Sequence, residues 1–327
     1  MVPNKRFEEL LADIEPSSTT KSDSSDAHTE VRKHLRSHET FKNRWISDFL
    51  AGSYSRDTAI RPKKTDDGYE RPDIDIVIET SFGTVDDPED VLKELSDALE
   101  DEFEVERINK RLVRIVTAKA EMDVVPVTPD GDIYQLPDRD IGTWKQTNPP
   151  GHNNWSTDQN KVFDGRFKPL VKLFKWWRRE NKTGKRPKGF VLEVLVAEHA
   201  PQDEPHYGEA FAQMLESIAD TFSDQKPYID DPGLPGNDIL SKVSNTDWKN
   251  FVRRVRTHAG YARRAQETDD MEEATQLWRK LFGDRFKETT KTSAENMTTY
   301  ATAPAAAATG YTFPNKPATP NKPRGFA

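Results

Sequence analysis

Three aspartates and a glycine–serine pair in the first part of this chain have the types and spacing for phosphate chemistry. In the segment DIDIVIE, Asp73 and Asp75 alternate with Ile74, Ile76 and Ile78. Alternate side chains of a β-strand share a face, so both carboxylates project together while the isoleucines pack beneath. Two such anions repel unless a proton or a cation lies between them, and a pair of divalent ions is a natural solution at neutral pH. Asp123 lies in a second strand-like run, AEMDVVPV, where Pro126 suits a strand edge. A third carboxylate from a neighbouring strand would complete a site for two ions, one activating an attacking hydroxyl and the other steadying a leaving pyrophosphate. Gly52-Ser53 stands where an apolar run passes into a short helix. Glycine permits close backbone approach there, and the free N–H groups with the Ser53 hydroxyl suit a phosphate. Each feature taken singly has a plainer reading: a solvated edge for DID, an exposed strand-face acid for Asp123, a helix N-cap for Ser53.

The elements that must hold these residues are legible from periodicity. Residues 5–14 and 24–38 read as helices around a turn-prone Ser/Thr stretch, and 41–51 as a strand ending at Gly52. Residues 61–71 form a polar loop ahead of the DIDIVIE strand. Residues 88–102 form a surface helix burying Val91, Leu92, Leu95 and Leu99, and 111–117 with 120–127 form a hairpin. From 130 to 160 the sequence is rich in Pro, Gly and Asn and reads as one long loop. Helices are expected over 169–181, 190–199, 208–222, 246–266 and 270–282. In the first of these, Leu170, Leu173, Phe174 and Trp177 line one side, and Lys168, Lys172, Lys175 and Arg179 the other, a basic stripe that suits a triphosphate. An ordinary solvated basic face is the plainer alternative. Beyond 288 the Thr/Ala/Pro-rich tail, with PNKP at 314–317 and 320–323, is expected to be disordered. The class is α+β: a catalytic lobe with a mixed sheet and the N-terminal helices over 1–165, a helical lobe over 166–287, and the tail over 288–327.

Composition narrows the chemistry. There is no cysteine, which excludes disulfides, thiol catalysis and cysteine zinc sites. Any metal must be held by oxygen, favouring Mg²⁺ or Mn²⁺. The net charge of −8 argues against a general nucleic-acid coat, yet residues 57–104 hold 17 acidic and 5 basic residues, whereas 161–188 hold 11 basic and 2 acidic. One region is suited to cations and the other to polyanions. No apolar run is long enough for a membrane span, and no secretory signal is evident, so the cytoplasm is the expected compartment.

Taken in order, GSYSRDT, DIDIVIE and EMDVVPV resemble the DNA polymerase beta superfamily of nucleotidyltransferases. The downstream PLVKLFKWW and PKGFVLEVLVAEH look like blocks of oligoadenylate synthases and of the bacterial cGAS/DncV-like nucleotidyltransferases, the CD-NTases. TNPPGHNNW is similar to a segment of the bacterial enzymes. These blocks fall within residues 52–200. The 20 residues from Ser53 to Asp73 exceed the spacing of simpler relatives and suit the cyclic-nucleotide and oligoadenylate branches better. The resemblance implies a synthase that joins nucleoside triphosphates, ATP among them, into a cyclic di- or trinucleotide with loss of pyrophosphate. Two Mg²⁺ ions would be held by Asp73, Asp75 and Asp123. Gly52, Ser53, Lys172 and Lys175 would bind the donor triphosphate, and Phe190 would stack on a base. It further implies a role in anti-phage signalling, and a ubiquitin-transfer-like partner acting on the C-terminus. The zinc-binding insertion of the animal DNA sensor needs cysteines, so activation by DNA gains no support. A transferase that modifies RNA or protein, and a non-catalytic nucleotide-sensing module, are the alternatives.

Overall fold

The structure is a computed structural model and describes residues 1–66, 68–181 and 186–288. The expected disordered tail, its PNKP repeats and the expected conjugation at Ala327 lie outside the described residues. Two helices open the chain: α1 (Asn4–Ile14) and α2 (Ser18–Ser37), the latter started by the Ser17 hydroxyl, which accepts from Thr20 N. Phe41–Asn43 forms a 3₁₀ turn rather than the start of the expected strand, because Phe41 turns into the core. Next come β1 (Trp45–Ala51), α3 (Gly52–Ser55), a small ribbon of β2 (Lys64–Thr65) and β3 (Gly68–Tyr69), β4 (Asp73–Thr80) and α4 (Pro88–Glu100). They are followed by β5 (Glu104–Ile108), β6 (Val113–Val116), β7 (Glu121–Asp130), β8 (Ile133–Asp138) and β9 (Thr143–Thr147). The rest is helical: α5 (Pro149–Val162), α6 (Phe167–Glu180), α7 (Gly189–His199), α8 (Tyr207–Thr221), α9 (Asn245–Glu267) and α10 (Met271–Phe282).

The long loop expected over 130–160 is instead two strands and a helix. Its Pro, Gly and Asn residues are turn and cap chemistry, not a lack of structure. Gly131 and Gly142, both at positive φ, reverse the chain between β7, β8 and β9. Pro149 and Pro150 occupy the first turn of α5, where no N–H donor is needed, and the Asn148 side chain accepts from Gly151 N at 3.0 Å.

The main sheet runs β1-β4-β7-β6-β5, with β8 on β7 and β9 on β8. It is mixed: β4 and β7 are parallel and the other pairs antiparallel. On one face Ile74, Ile76, Ile78, Ile115, Met122 and Val124 pack against Val91, Leu95 and Leu99 of α4 and Val31 and Leu35 of α2. Each such buried aliphatic side chain contributes about 1.5–3 kcal/mol. A second core joins α6 to α10 through Phe174, Trp177, Phe211, Trp248, Phe251, Trp278 and Phe282. Phe7, Leu10 and Ile14 of α1 belong to this second core. Of the two N-terminal helices, α1 thus turns its apolar stripe to the helical core and α2 serves the sheet.

Candidate active site

The mixed sheet brings the sequence-distant acids to one edge. In the parallel pairing of β4 with β7, Asp75 lies beside Asp123 and Asp73 beside Glu121. On the other side of β4, Ala51, the last residue of β1, pairs with Asp75. The chain then turns sharply at Gly52, φ +67°, into α3. A Cβ built on Gly52 would stand 1.8 Å from Asp75 Oδ2, so the carboxylate occupies the volume a side chain would fill. Glycine is required there by both its dihedral and its neighbour. Ser53 is half-buried, and among the described residues its hydroxyl makes no hydrogen bond.

Burial, and after it the charges of Asp73 and Asp123, push the Asp75 carboxyl up to about 6. Asp73 is also raised, by desolvation first and then by Asp123, although its side chain is 60% exposed. That exposure makes repulsion within the cluster the cause we weigh most for Asp73. Arg56 offsets part of this at Asp75 and Lys188 part of it at Asp73, and Arg114 acts on both and is hydrogen-bonded into the cluster. Arg114, on β6 directly opposite Asp123, donates from Nε and Nη2 to the two Asp123 oxygens at 2.6 and 2.8 Å. It also reaches Asp73 Oδ1 at 3.2 Å and Glu121 Oε2 at 3.3 Å. Neither Arg114 nor Glu121 was singled out from sequence. Their register beside the acids, set by pairing across strands, is the signal that finds them.

The acids are hard oxygen donors in excess of their local cations, a donor set that fits Mg²⁺ or Mn²⁺. Yet among the described residues no group of three or more His, Asp or Glu side chains stands ready to hold a metal ion.

The basic stripe of α6 is placed differently from the solvated or phosphate-facing surface expected. Lys172 and Lys175 are buried. Lys172 Nζ donates to Glu15 at 2.8 Å and to Asp57 at 3.3 Å. Lys175 Nζ donates to Glu193 Oε1 at 2.8 Å and to the carbonyl and hydroxyl oxygens of Thr58 at 3.1 and 2.9 Å. Arg56, just past α3, holds the same Glu193 in a fork, 2.9 and 3.1 Å. Burial alone would raise Glu193, but Lys175 and Arg56 outweigh it and hold the carboxyl down at about 2. Lys175 is lowered, by desolvation first and against the pull of Glu193. The reason for the departure from expectation is this carboxylate on α7, four positions into an otherwise apolar run, which draws the lysine inward. Lys168 keeps a half-buried side chain with its ammonium lowered by desolvation.

Phe190, at the start of α7, is half-buried, with the Arg56 guanidinium over its ring at 5.1 Å and His152 and Trp155 of α5 at 4.6 and 5.7 Å between centroids. The TNPPGHNNW segment thus becomes the front of α5. From it Asn153 donates to Leu50 O at 3.2 Å and to the Ser55 hydroxyl at 3.0 Å, buttressing α3. His152 pairs with Asp231 at 2.8 Å. A strand-end carboxylate cluster beside an α3 turn, backed by an aromatic ring, can hold a polyphosphate and a base side by side.

Comparison with known proteins gives the family. Residues 1–160 match the model of the Second Messenger Oligonucleotide or Dinucleotide Synthetase domain. A cyclic AMP-AMP-AMP synthase of Acinetobacter sp. (strain ATCC 27244 / 9458) is 42% identical, the alignment covering 100% of this chain and 98% of that protein. A cyclic AMP-AMP-GMP synthase of Enterobacter hormaechei subsp. hoffmannii is 25% identical over 98% of this chain and 99% of its own. Among solved structures, CdnC of E. coli MS115-1 with ATP superposes with a TM-score of 0.71 at 18% identity, over 88% of this chain and 99% of that one. The Vibrio cholerae DncV cyclic AMP-GMP synthase with a linear intermediate gives 0.62 at 13% identity, over 87% and 88%. With such identity running its whole length, the chain belongs to the bacterial cGAS/DncV-like nucleotidyltransferases, the CD-NTases, as a synthase of cyclic oligonucleotide second messengers.

Proposed function

We propose that this enzyme condenses three ATP molecules into a cyclic triadenylate, releasing one pyrophosphate for each bond formed. The geometric observation that carries a two-carboxylate-strand mechanism is the register of Asp75 beside Asp123 with Gly52 packed on the Asp75 carboxylate. The product assignment rests on the full-length relative named for cyclic AMP-AMP-AMP synthesis.

In each step the acceptor hydroxyl oxygen bonds to the donor α-phosphorus, the bond to the pyrophosphate oxygen breaks, and the hydroxyl proton leaves to solvent or carboxylate. Asp73, Asp75 and Asp123 would hold two Mg²⁺, with Mn²⁺ as a substitute, which supply charge neutralisation and a more acidic acceptor hydroxyl when bound. The first N–H groups of α3 and the Ser53 hydroxyl orient the donor phosphates. Lys168, the half-buried member of the α6 stripe, supplies charge nearby. Lys175 acts through Glu193 and Arg56, which fix the segment following α3. Phe190 offers a ring edge to the base. Catalysis then rests on positioning and on charges set in place before reaction. The product would serve as a signal in anti-phage defence.

Mass spectrometry of the products formed from all four nucleoside triphosphates with Mg²⁺ tests this. The expected result is a phosphatase-resistant cyclic triadenylate, lost by at least about a hundredfold in an Asp73→Asn, Asp75→Asn variant. A guanylate-containing ring or a dinucleotide overturns the product assignment, and label found only on added RNA or protein overturns the synthase reading.

A further inference from the structure

The position of Arg114 is unusual for a structural ion pair. Its side chain is 17% exposed, and its guanidinium spans three carboxylates contributed by two strands, Asp73, Glu121 and Asp123. It takes both oxygens of Asp123, the acid proposed to hold an ion, in a two-pronged contact. A divalent ion bound by Asp123 sits about 2.0–2.6 Å from a carboxylate oxygen. A guanidinium in the same fork would then stand against it, like charge to like charge, in a partly desolvated site.

We propose that Arg114 is a tethered counter-cation: it neutralises the carboxylate cluster while no divalent ion is bound, and it must release Asp123 for an ion to enter. This rests on the reading of Asp73, Asp75 and Asp123 as the divalent-ion ligands. The physical logic is economical. Four carboxylates on the neighbouring strands β4 and β7, Asp73, Asp75, Glu121 and Asp123, repel one another, and Arg114 offsets that repulsion through its contacts with three of them. The same contact lowers the affinity of the empty enzyme for free metal, because the ion must first displace an arginine. An arriving nucleotide–metal complex brings phosphate oxygens of its own to the ion, which favours entry of both together over entry of metal alone. Arg114 is thus a positioning residue, acting through Asp123. Lysine would be a poorer substitute, since a point charge cannot span both Asp123 oxygens and Asp73 at once.

The test is Mn²⁺ binding to the nucleotide-free, full-length protein, read as loss of the free-ion signal in electron paramagnetic resonance. The variants are Arg114→Met, Arg114→Lys, and Asp73→Asn with Asp75→Asn in each background. Removing the competing charge should tighten Mn²⁺ binding by about tenfold or more in Arg114→Met, with Arg114→Lys between it and the wild type. Affinity in a folded Arg114→Met protein equal to or weaker than wild type overturns the proposal and leaves Arg114 a clamp for the sheet. Should Arg114→Met not fold, Arg114→Lys decides in the same way: tighter binding supports the proposal, equal or weaker binding overturns it. The aspartate variants separate the two readings. If they bind Mn²⁺ as well as their parents, the assignment of the metal ligands fails; if they lose it while Arg114 variants match wild type, the counter-cation alone fails.

Discussion

Gly52 holds a φ of +67° with the Asp75 carboxylate in the space of its missing side chain. A methyl group there must displace either the turn into α3 or the carboxylate. Gly52→Ala is expected to cost about 1–3 kcal/mol of stability and to reduce product formation more than about tenfold, since a carboxylate of the proposed site is moved. Thermal melts and a pyrophosphate-release assay measure both. Asp75 makes a second prediction, of opposite sign. Its carboxyl is raised to about 6, by burial first and then by its acidic neighbours. An unfolded aspartate titrates near 4, so the folded metal-free protein binds this proton more tightly. The resulting stabilisation is complete below about pH 4 and is lost as pH rises through about 6. With chelator present, Asp75→Asn should therefore gain stability relative to wild type between about pH 4 and 7, by on the order of 1 kcal/mol, while losing synthesis. A constant difference across that range would show that Asp75 is ionised throughout.

At the scale of elements, Glu193 on α7 joins α6, through Lys175, to the segment after α3, through Arg56 and Thr58. Glu193→Gln leaves two buried cations without their anion and should cost about 3–5 kcal/mol. Adding Lys175→Met removes one of those cations, so the double variant is expected to be more stable than Glu193→Gln alone. Denaturant titration of the four proteins of the cycle checks the sign. The Glu193 carboxyl is held at about 2, well below its unfolded value. Its stabilisation is therefore present above about pH 4 and lost as pH falls toward 2, and Glu193→Gln should flatten that acid limb. This network also shows where the sequence was readable and where it was not. The alternation of DIDIVIE and the glycine before Ser53 carried the strand, the turn and the sharing of a face by Asp73 and Asp75, because those are local facts. The inward course of Lys175 was hidden, since helical periodicity gives a side chain's direction but not its partner, and the partner lies 18 residues on in a different helix. Arg114 was hidden for the same reason: only the β6–β7 register sets it against Asp123. The misread stretch over 130–160 failed otherwise. Its Pro, Gly and Asn residues mark turns and a cap, and density of such residues does not by itself distinguish short strands and a capped helix from a loop.

Over the whole molecule, the two cores are joined rather than adjoining. Helix α1 places Phe7 against Trp278 and Phe286 in the helical core, while the chain continues into α2 under the sheet. The Glu193 network ties the two a second time. We therefore expect one cooperative unfolding transition, with ellipticity and tryptophan fluorescence sharing a midpoint in denaturant. Trp45 and Trp144 report on the sheet side and Trp248 and Trp278 on the helical side. Separate midpoints would show that the ties are weaker than either core. His258 adds an acid sensitivity to the helical side. It accepts the Trp177 indole N–H at 2.9 Å and is held to about 4 by burial, then by Arg254. That support is present above the unfolded value near 6.5 and is lost as pH falls toward 4.

The parallel pairing of β4 with β7 also sets the order of events on the ribosome. Asp75 can pair with Ala51 in a short antiparallel register, but Asp123 joins it only after α4, β5 and β6 have been made and the chain has crossed back over the sheet. Such non-local closures come late in folding. Glu193, which steadies the neighbouring turn, emerges later still. A nascent or half-folded copy therefore has its acids apart and its Gly52 turn unsupported. An enzyme that makes a second messenger is in this way silent until its own synthesis is well advanced.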